Sequence, residues 1–172
     1  SGHIAAIGFE LYCQLLRQSI ERLQGKAPAI RAEAQLKADF LCVSEAVLST
    51  RADADKLIGA FIPEAWVEST QSRMSCYTQL AKALTEDDVD DLERQWTDRF
   101  GVLPRQARNL LIAHKIKIIA TRRNISTVEI SGQKLLLTRN KDYILLDRRF
   151  PRLNKIRPSD KLREALRFLR EM

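Results

Sequence analysis

LERQWTDRFGVLPRQARNLL, residues 92–111, carries the clearest local signals in the sequence. Trp96 and Phe100 are four residues apart, which places both on one face of a helix. Gly101 stands where helices often end in a residue of positive φ. Pro104 suits the first position of a new helix. The stretch therefore predicts two helices joined by a short turn.

The first of these helices also has an N-terminal signal. Thr85 can cap it, and the acids of EDDVDD (86–91) suit the positive end of the helix dipole. Another helix is predicted over 69–84. It follows FIPEAWV (61–67), which we expect to be extended before Pro63 because proline disfavours helical geometry in the preceding residue.

Apolar residues recur at helical spacing over 4–23, and Gly25 and Pro28 suit the end of that helix. Residues 29–37 are predicted to form a polar connector or an irregular helix. The short apolar stretch 38–47 is compatible with a strand or a helix, and we favour a strand around 39–45.

The helix that starts at Pro104 is predicted to end near Arg123 or Asn124. Beyond this helix, β-branched residues alternate and two turn signals occur. This pattern predicts a three-stranded meander over 125–130, 134–138 and 143–146. Ser159 can cap a final helix, DKLREALRFLREM. The predicted fold class is α+β, with four or five helices packed against a small antiparallel β-sheet.

Composition favours a globular protein of the cytoplasm. The chain has 172 residues, 45% of them apolar, which suits a single domain. Cys13, Cys42 and Cys76 form no CxxC pair, so we expect small core residues in a reducing compartment. The N-terminal stretch lacks a basic segment followed by an apolar one, so we expect that it is not a signal peptide. The most apolar stretch, 109–120, is too short and too charged to span a bilayer.

Catalytic and metal-binding patterns are absent from the sequence. It lacks a phosphate-binding GxxxxGK[ST] loop, an HExxH motif and a zinc-type Cys/His cluster. His3 and His114 are far apart, and His114 fits a packing role in its helix. The run 86–91 lacks the alternating ligands of a calcium loop. We therefore predict no catalytic residue, no metal site and no cofactor in this chain.

The net charge of +7 is unevenly distributed along the chain. Residues 1–104 hold 11 basic and 16 acidic residues, net −5, whereas 105–172 hold 18 and 6, net +12. Such a split suggests an acidic partner, or two surfaces with different partners. Clustered cations attract phosphate backbones. The candidate nucleic-acid-binding residues are Arg122, Arg123, Arg148, Arg149, Arg152, Lys155 and Arg157.

Three segments share a resemblance to a known family. They are SGHIAAIGFELYCQLL (1–16), FIPEAWVESTQSRMSCYTQLAKA (61–83) and the opening stretch, 92–111. In the second, Arg73 and Tyr77 occupy the places of an Arg-x-x-x-Tyr pattern. In order and spacing, the segments resemble the C-terminal domain of bacterial transcription-repair coupling factor. The resemblance covers about 1–125 and fades beyond it.

The resemblance implies that the chain is a single C-terminal regulatory domain of a longer protein. Its parts would be an opening helix after the motor (1–24), a helical part with the family motifs (38–124), the β meander (125–147) and a basic tail with the last helix (148–172).

The resemblance also implies what the parent does. It would be an ATP-driven translocase of duplex DNA, with ATP and magnesium in an upstream motor, that acts on stalled RNA polymerase and recruits the damage-recognition subunit of excision repair. The C-terminal domain would contact an N-terminal repair-recruitment module of the same chain. That contact would mask the recruitment surface and restrain the motor. The domain itself would be non-catalytic, with no membrane partner.

The family pattern assigns this contact to an Asp-Arg pair with an acid three residues before the Asp. Asp98 and Arg99 match the pair, whereas Gln95 stands in place of the usual Glu. Two other interpretations remain open. One is a basic nucleic-acid-binding module, and the other is a domain that only braces the motor.

Overall fold

In residues 33–172, short strands and a short helix come first, followed by three consecutive helices, three consecutive strands and a last helix. The computed structural model describes residues 33–172, together with Ser19 and Leu23, which are both helical. The helices from residue 33 onward are α1 (Glu45–Thr50), α2 (Thr70–Lys82), α3 (Glu86–Phe100), α4 (Arg105–Arg122) and α5 (Pro158–Glu171), with a 3₁₀ turn at Ala54–Lys56. The strands are β1 (Gln35–Ala38), β2 (Leu41–Cys42), β3 (Ile58–Gly59), β4 (Thr127–Ser131), β5 (Lys134–Arg139) and β6 (Asp142–Tyr143). The α+β class is confirmed.

Local signals set the ends of the central helices. The hydroxyl of Ser69 accepts a hydrogen bond from the backbone N–H of Ser72 and so caps α2. Gly101 ends α3 with a φ of 95°, a backbone conformation that is strained for any residue with a side chain. Pro104 occupies the N-cap position, so α4 begins at Arg105, one residue later than predicted.

The main sheet is mixed, with the strand order β1-β4-β5-β6. β4 and β5 form an antiparallel hairpin, and Gly132 in its turn has a φ of 58°. β6 continues the antiparallel part, but β1 pairs with β4 in parallel. β2 and β3 form a separate parallel pair. The predicted meander therefore exists, although a fourth strand from the N-terminal side makes the sheet mixed.

Two hydrophobic clusters share helix α4. The sheet cluster packs β1, β4 and β5 against α5 and one side of α4, where Ile116 and Ile119 are buried. The helical cluster packs α2 and α3 against the other side of α4, where Leu111 and Ile118 are buried. A helix covered on two sides needs apolar residues around most of its circumference. α4 is therefore the central element of the described residues.

Two predictions for the N-terminal part are wrong. The predicted strand over 39–45 is divided among a turn, β2 and the start of α1. The end of the predicted connector, 29–37, forms β1. β1 alternates between an exposed polar residue and the buried Leu36, and its partner lies far along the chain.

Two predictions for the C-terminal part also need correction. The third strand of the meander is β6, which ends at Tyr143, instead of 143–146. The last helix starts at Pro158, and Arg157 stands at the cap position without a side-chain capping bond, so Ser159 is not the cap. Proline at the first helical position fixes the start there.

Candidate functional site

Helix α3 carries the predicted interaction residues, and a capping box sets its start. The Thr85 hydroxyl accepts from the Asp88 backbone N–H at 3.1 Å. The Asp88 carboxylate accepts in turn from the backbone N–H groups of Leu84 and Thr85, each at 3.0 Å. The hydrogen bond from Leu84 is the main cause that holds the pKa of Asp88 below its usual range. The cap fixes the direction in which α3 leaves the turn.

Ion pairs tie the first half of α3 to its neighbours. Lys115 of α4 lies 2.6 Å from Asp90, and Arg170 of α5 lies 2.6 Å from Glu86. Trp96 is buried on the inner face of α3, and its indole N–H donates to the Gln79 side chain of α2 at 3.1 Å. One face of α3 is therefore fixed against α2, α4 and α5.

Gln95, Asp98 and Arg99 all lie exposed on the outer face of α3. Gln95 borders a groove of about 280 Å³ between α2 and α3, whose lining also includes Lys82 and Asp91. Within residues 33–172, no hydrogen bond or ion pair involves the Asp98 carboxylate. We call Gln95, Asp98 and Arg99 the α3 surface.

Arg99 packs over the ring of Phe100. Its guanidinium lies 4.9 Å from the centroid of the Phe100 ring, a cation–π contact. Phe100 in turn makes an edge-to-face contact with Trp66, with ring centroids 5.6 Å apart. These contacts restrict the Arg99 side chain, so less conformational entropy is lost when it contacts a partner.

Arg73 and Tyr77, the two motif residues of α2, hold the 61–67 segment. One guanidinium nitrogen of Arg73 donates to the carbonyls of Val67 and Glu68 at 2.7 and 2.9 Å. The Tyr77 hydroxyl accepts from the buried backbone N–H of Ile62 at 2.7 Å. The sequence singles out these two residues by pattern, but their partners are visible only in the fold. Their role is structural support of the segment that carries Trp66.

The predicted nucleic-acid-binding residues lie near the two ends of α5 and in the connector that precedes it. Arg123, just beyond the end of α4, donates to the carbonyls of Arg170 and Met172 near the end of α5. Arg157 stands at the start of α5, and a helix of this length spans about 20 Å. Arg122 lies near Asp88, whose pKa it helps to lower. The remaining candidates, Arg148, Arg149, Arg152 and Lys155, are exposed in the connector between β6 and α5.

The remaining candidates for chemistry pack in the interior. His114 is buried, with its Nε2 atom 3.3 Å from the Ala83 carbonyl oxygen, as expected of a packing residue. Cys42 and Cys76 are buried and free, and burial raises the pKa of the Cys76 thiol. Cys13 and His3 lie outside the described residues.

Within the described part of the chain, no three His, Cys, Asp or Glu side chains are grouped so that they could hold a metal ion. Across the same residues, every helix is too short or too polar to cross a bilayer.

Comparison with known proteins gives the family. The family described as the TRCF domain matches residues 57–145, just over half of the chain. The chain belongs to the TRCF domain family. The match includes the segments 61–83 and 92–111, and it runs through the meander, past the point near residue 125 where the resemblance was expected to fade.

Individual relatives of this TRCF domain carry a common name. The "Transcription-repair-coupling factor" of Mycobacterium bovis is 30% identical over 128 residues, 74% of this chain and 10% of the relative. That of Rickettsia prowazekii is 26% identical over 168 residues, 94% of this chain and 14% of the relative. The chain thus spans only about a tenth to a sixth of the length of the curated relatives that it matches.

A solved structure has the same fold as this TRCF domain. It is described as the "Crystal structure of C-terminal domain of transcription-repair coupling factor" and superimposes with a TM-score of 0.58. The alignment covers 83% of this chain and 96% of the other, at 14% identity.

Proposed function

We propose that this chain is the regulatory, protein-binding domain of a transcription-repair coupling factor. In this proposal the α3 surface contacts an N-terminal repair-recruitment module of the same parent. The contact masks the surface that recruits the damage-recognition subunit of excision repair and restrains a DNA-translocase motor. Release of the contact during work on stalled RNA polymerase exposes that surface. We propose in the same way that the parent protein acts in DNA repair.

The exposed pair Asp98 and Arg99 carries the proposal. Asp98 lies near the C-terminal end of α3, where a negative charge opposes the helix dipole. Arg99 is already oriented by Phe100. A charge that costs the free domain stability, beside a pre-oriented cation, supports a role in contact with a charged partner. The groove beside Gln95 supports the same role, since it offers a recess for a side chain of the partner.

The experiment is a binding titration of this chain against the N-terminal module of the same parent. We expect saturable binding, weakened at least about ten-fold by Asp98→Lys or Arg99→Glu. Asp98→Lys should stabilise the free domain by a few tenths of a kcal/mol, because the new charge suits the helix end. If Asp98→Lys weakens binding while the domain remains at least as stable as the wild type, the loss is due to the contact and not to unfolding.

Matched variants make this test specific. Asp142→Lys makes the same charge change at an exposed site on β6 and should leave binding unchanged. Gln95→Glu restores the acid of the family pattern and should tighten binding. Module binding that is insensitive to charge reversal at both Asp98 and Arg99 would refute the proposed surface.

Support for the alternative, a nucleic-acid-binding module, is weaker. Its seven cationic residues lie near the two ends of α5 and in the connector, and no cleft or groove observed in residues 33–172 brings all of them together. A parallel titration with short duplex DNA at two salt concentrations tests it, because binding through several phosphates weakens steeply as salt rises. Salt-sensitive duplex binding without module binding would favour that alternative.

A further inference from the structure

A cleft of about 610 Å³ opens between the first turns of α4 and α5 and the strand β3. Arginines dominate its charged lining. Arg105 and Arg108 come from α4, and Arg157 and Arg163 come from α5. Among the described residues, Asp160 is the one acid that lines it, so the formal charge of this lining is +3. We call this feature the arginine cleft.

The ends of both helices add to its positive potential. Within residues 33–172, no side chain caps the N-terminus of α4 or of α5, so backbone N–H groups in both first turns lack a capping side chain from this part of the chain. The first turn of α4 contains no acid. α3, by contrast, has a capping box and three acids in its first turn. In α5, Asp160 lies in the first turn and pairs with Arg163 at 3.4 Å. Arg105, Arg108 and Arg157 have no acidic partner among the described residues, and an anion in the cleft would relieve the repulsion between them.

The other side of the arginine cleft is apolar, and a buried hydrogen bond fixes its backbone. Leu48, Leu57 and Ile58 line it. Its floor is fixed by Asn109, which is buried and whose side-chain amide donates to the Gly59 carbonyl at 3.0 Å. Gly59 leaves room for the Phe61 ring, since a Cβ atom at position 59 would lie 2.5 Å from that ring.

We propose that the arginine cleft binds a nucleotide-sized phosphorylated molecule. Guanidinium groups pair with phosphate oxygens in a bidentate manner, and a charge of +3 matches a diphosphate better than a single carboxylate. The apolar wall accommodates an uncharged part such as a base. The volume is within the range of small-molecule sites. A concave site suits one compact ligand better than an extended nucleic-acid backbone.

Calorimetric titration of the chain with pyrophosphate and with ADP, each at low salt, tests this proposal. We expect saturable one-to-one binding of both probes, tighter for ADP because its base contacts the apolar wall. Arg105→Gln and Arg157→Gln should each weaken binding about ten-fold. Both residues are exposed at helix starts, where losing a positive charge does not destabilise the helix.

Two further variants separate a specific site from general attraction. Asp160→Asn removes the carboxylate from the arginine cleft and should tighten binding several-fold. Arg167→Gln makes the same charge change as the two cleft variants at an exposed site of α5 outside the cleft lining, and binding should not change.

Three outcomes would overturn the proposal. The first is the absence of saturable binding of either probe. The second is an equal loss of binding in Arg167→Gln and Arg105→Gln, which would indicate unspecific attraction. The third is binding of a duplex oligonucleotide through Arg105 and Arg157 without binding of ADP, which would make the cleft part of a nucleic-acid surface.

Discussion

Tyr77 shows how one hydroxyl group supports a segment without secondary structure. Tyr77 and Ile62 are both almost fully buried, and the Ile62 backbone N–H donates to the Tyr77 hydroxyl. A buried donor that loses its acceptor costs its full desolvation penalty. The Arg-x-x-x-Tyr pattern therefore has a physical reason in this chain.

Tyr77→Phe should lower the free energy of unfolding by about 1–3 kcal/mol, because it leaves the Ile62 N–H without that acceptor. Chemical denaturation measures this change. Tyr143→Phe is the matched control, since Tyr143 is 55% exposed, and it should change stability little. Equal effects of the two substitutions would contradict the role of the buried hydrogen bond.

The sequence identified residues better than it identified their partners. Gly101 has the predicted positive φ, and Trp96 is buried as its spacing indicated. Phe100 is only partly buried, and it contacts Trp66, which lies in a segment far from it in sequence. Spacing along a helix defines a face, but it does not tell which loop covers that face.

At the scale of elements, the capping box of α3 predicts a dependence on pH. The folded pKa of Asp88 is lowered, mainly by the hydrogen bond from Leu84, so its stabilising contribution is complete above the unfolded pKa. That contribution is lost as pH falls through the folded value. Asp88→Asn should therefore destabilise the domain most near pH 6, and the difference should shrink below about pH 4. Denaturation at a series of pH values measures it.

Asp87→Asn is the matched control for the capping box. It removes a carboxylate from the same turn, but it leaves the bonds to the Leu84 and Thr85 amides intact. We expect a smaller effect with less dependence on pH. If both variants behave alike, the helix dipole, instead of the cap, explains the contribution of the acidic run.

Elements with local signals were predicted well, and elements formed by distant pairing were not. Caps and a terminal glycine lie within the sequence of α2 and α3, so their bounds follow from neighbouring residues. β1 becomes a strand because β4 supplies its hydrogen bonds in parallel, and no local pattern reports that partner. β2 and β3 are two residues each, too short for an alternating pattern.

At the scale of the whole molecule, the shared helix α4 couples the two hydrophobic clusters. Both tryptophans of the chain pack in the helical cluster, so their fluorescence reports on that cluster alone. Leu135 is fully buried in the sheet cluster. Leu135→Ala should cost about 2–5 kcal/mol. The transition followed by tryptophan fluorescence should shift together with the one followed by circular dichroism.

Leu145→Ala provides the comparison for this test, because Leu145 is 47% exposed and should contribute little. If Leu135→Ala shifts the circular dichroism transition but leaves the fluorescence transition in place, the two clusters unfold independently. That result would contradict the coupling through α4.

The ion pairs of α3 have a consequence for diffusion. Glu86 and Asp90 face cations of α5 and α4, so the acidic run is largely neutralised at short range, although it stands apart from those cations in the sequence. Other cations of the described part, such as Arg148 and Arg167, remain exposed to solvent. Long-range attraction speeds the encounter with any polyanion, and it fades over a Debye length of about 8 Å at physiological ionic strength. Association rates with polyanions should therefore fall as the salt concentration rises.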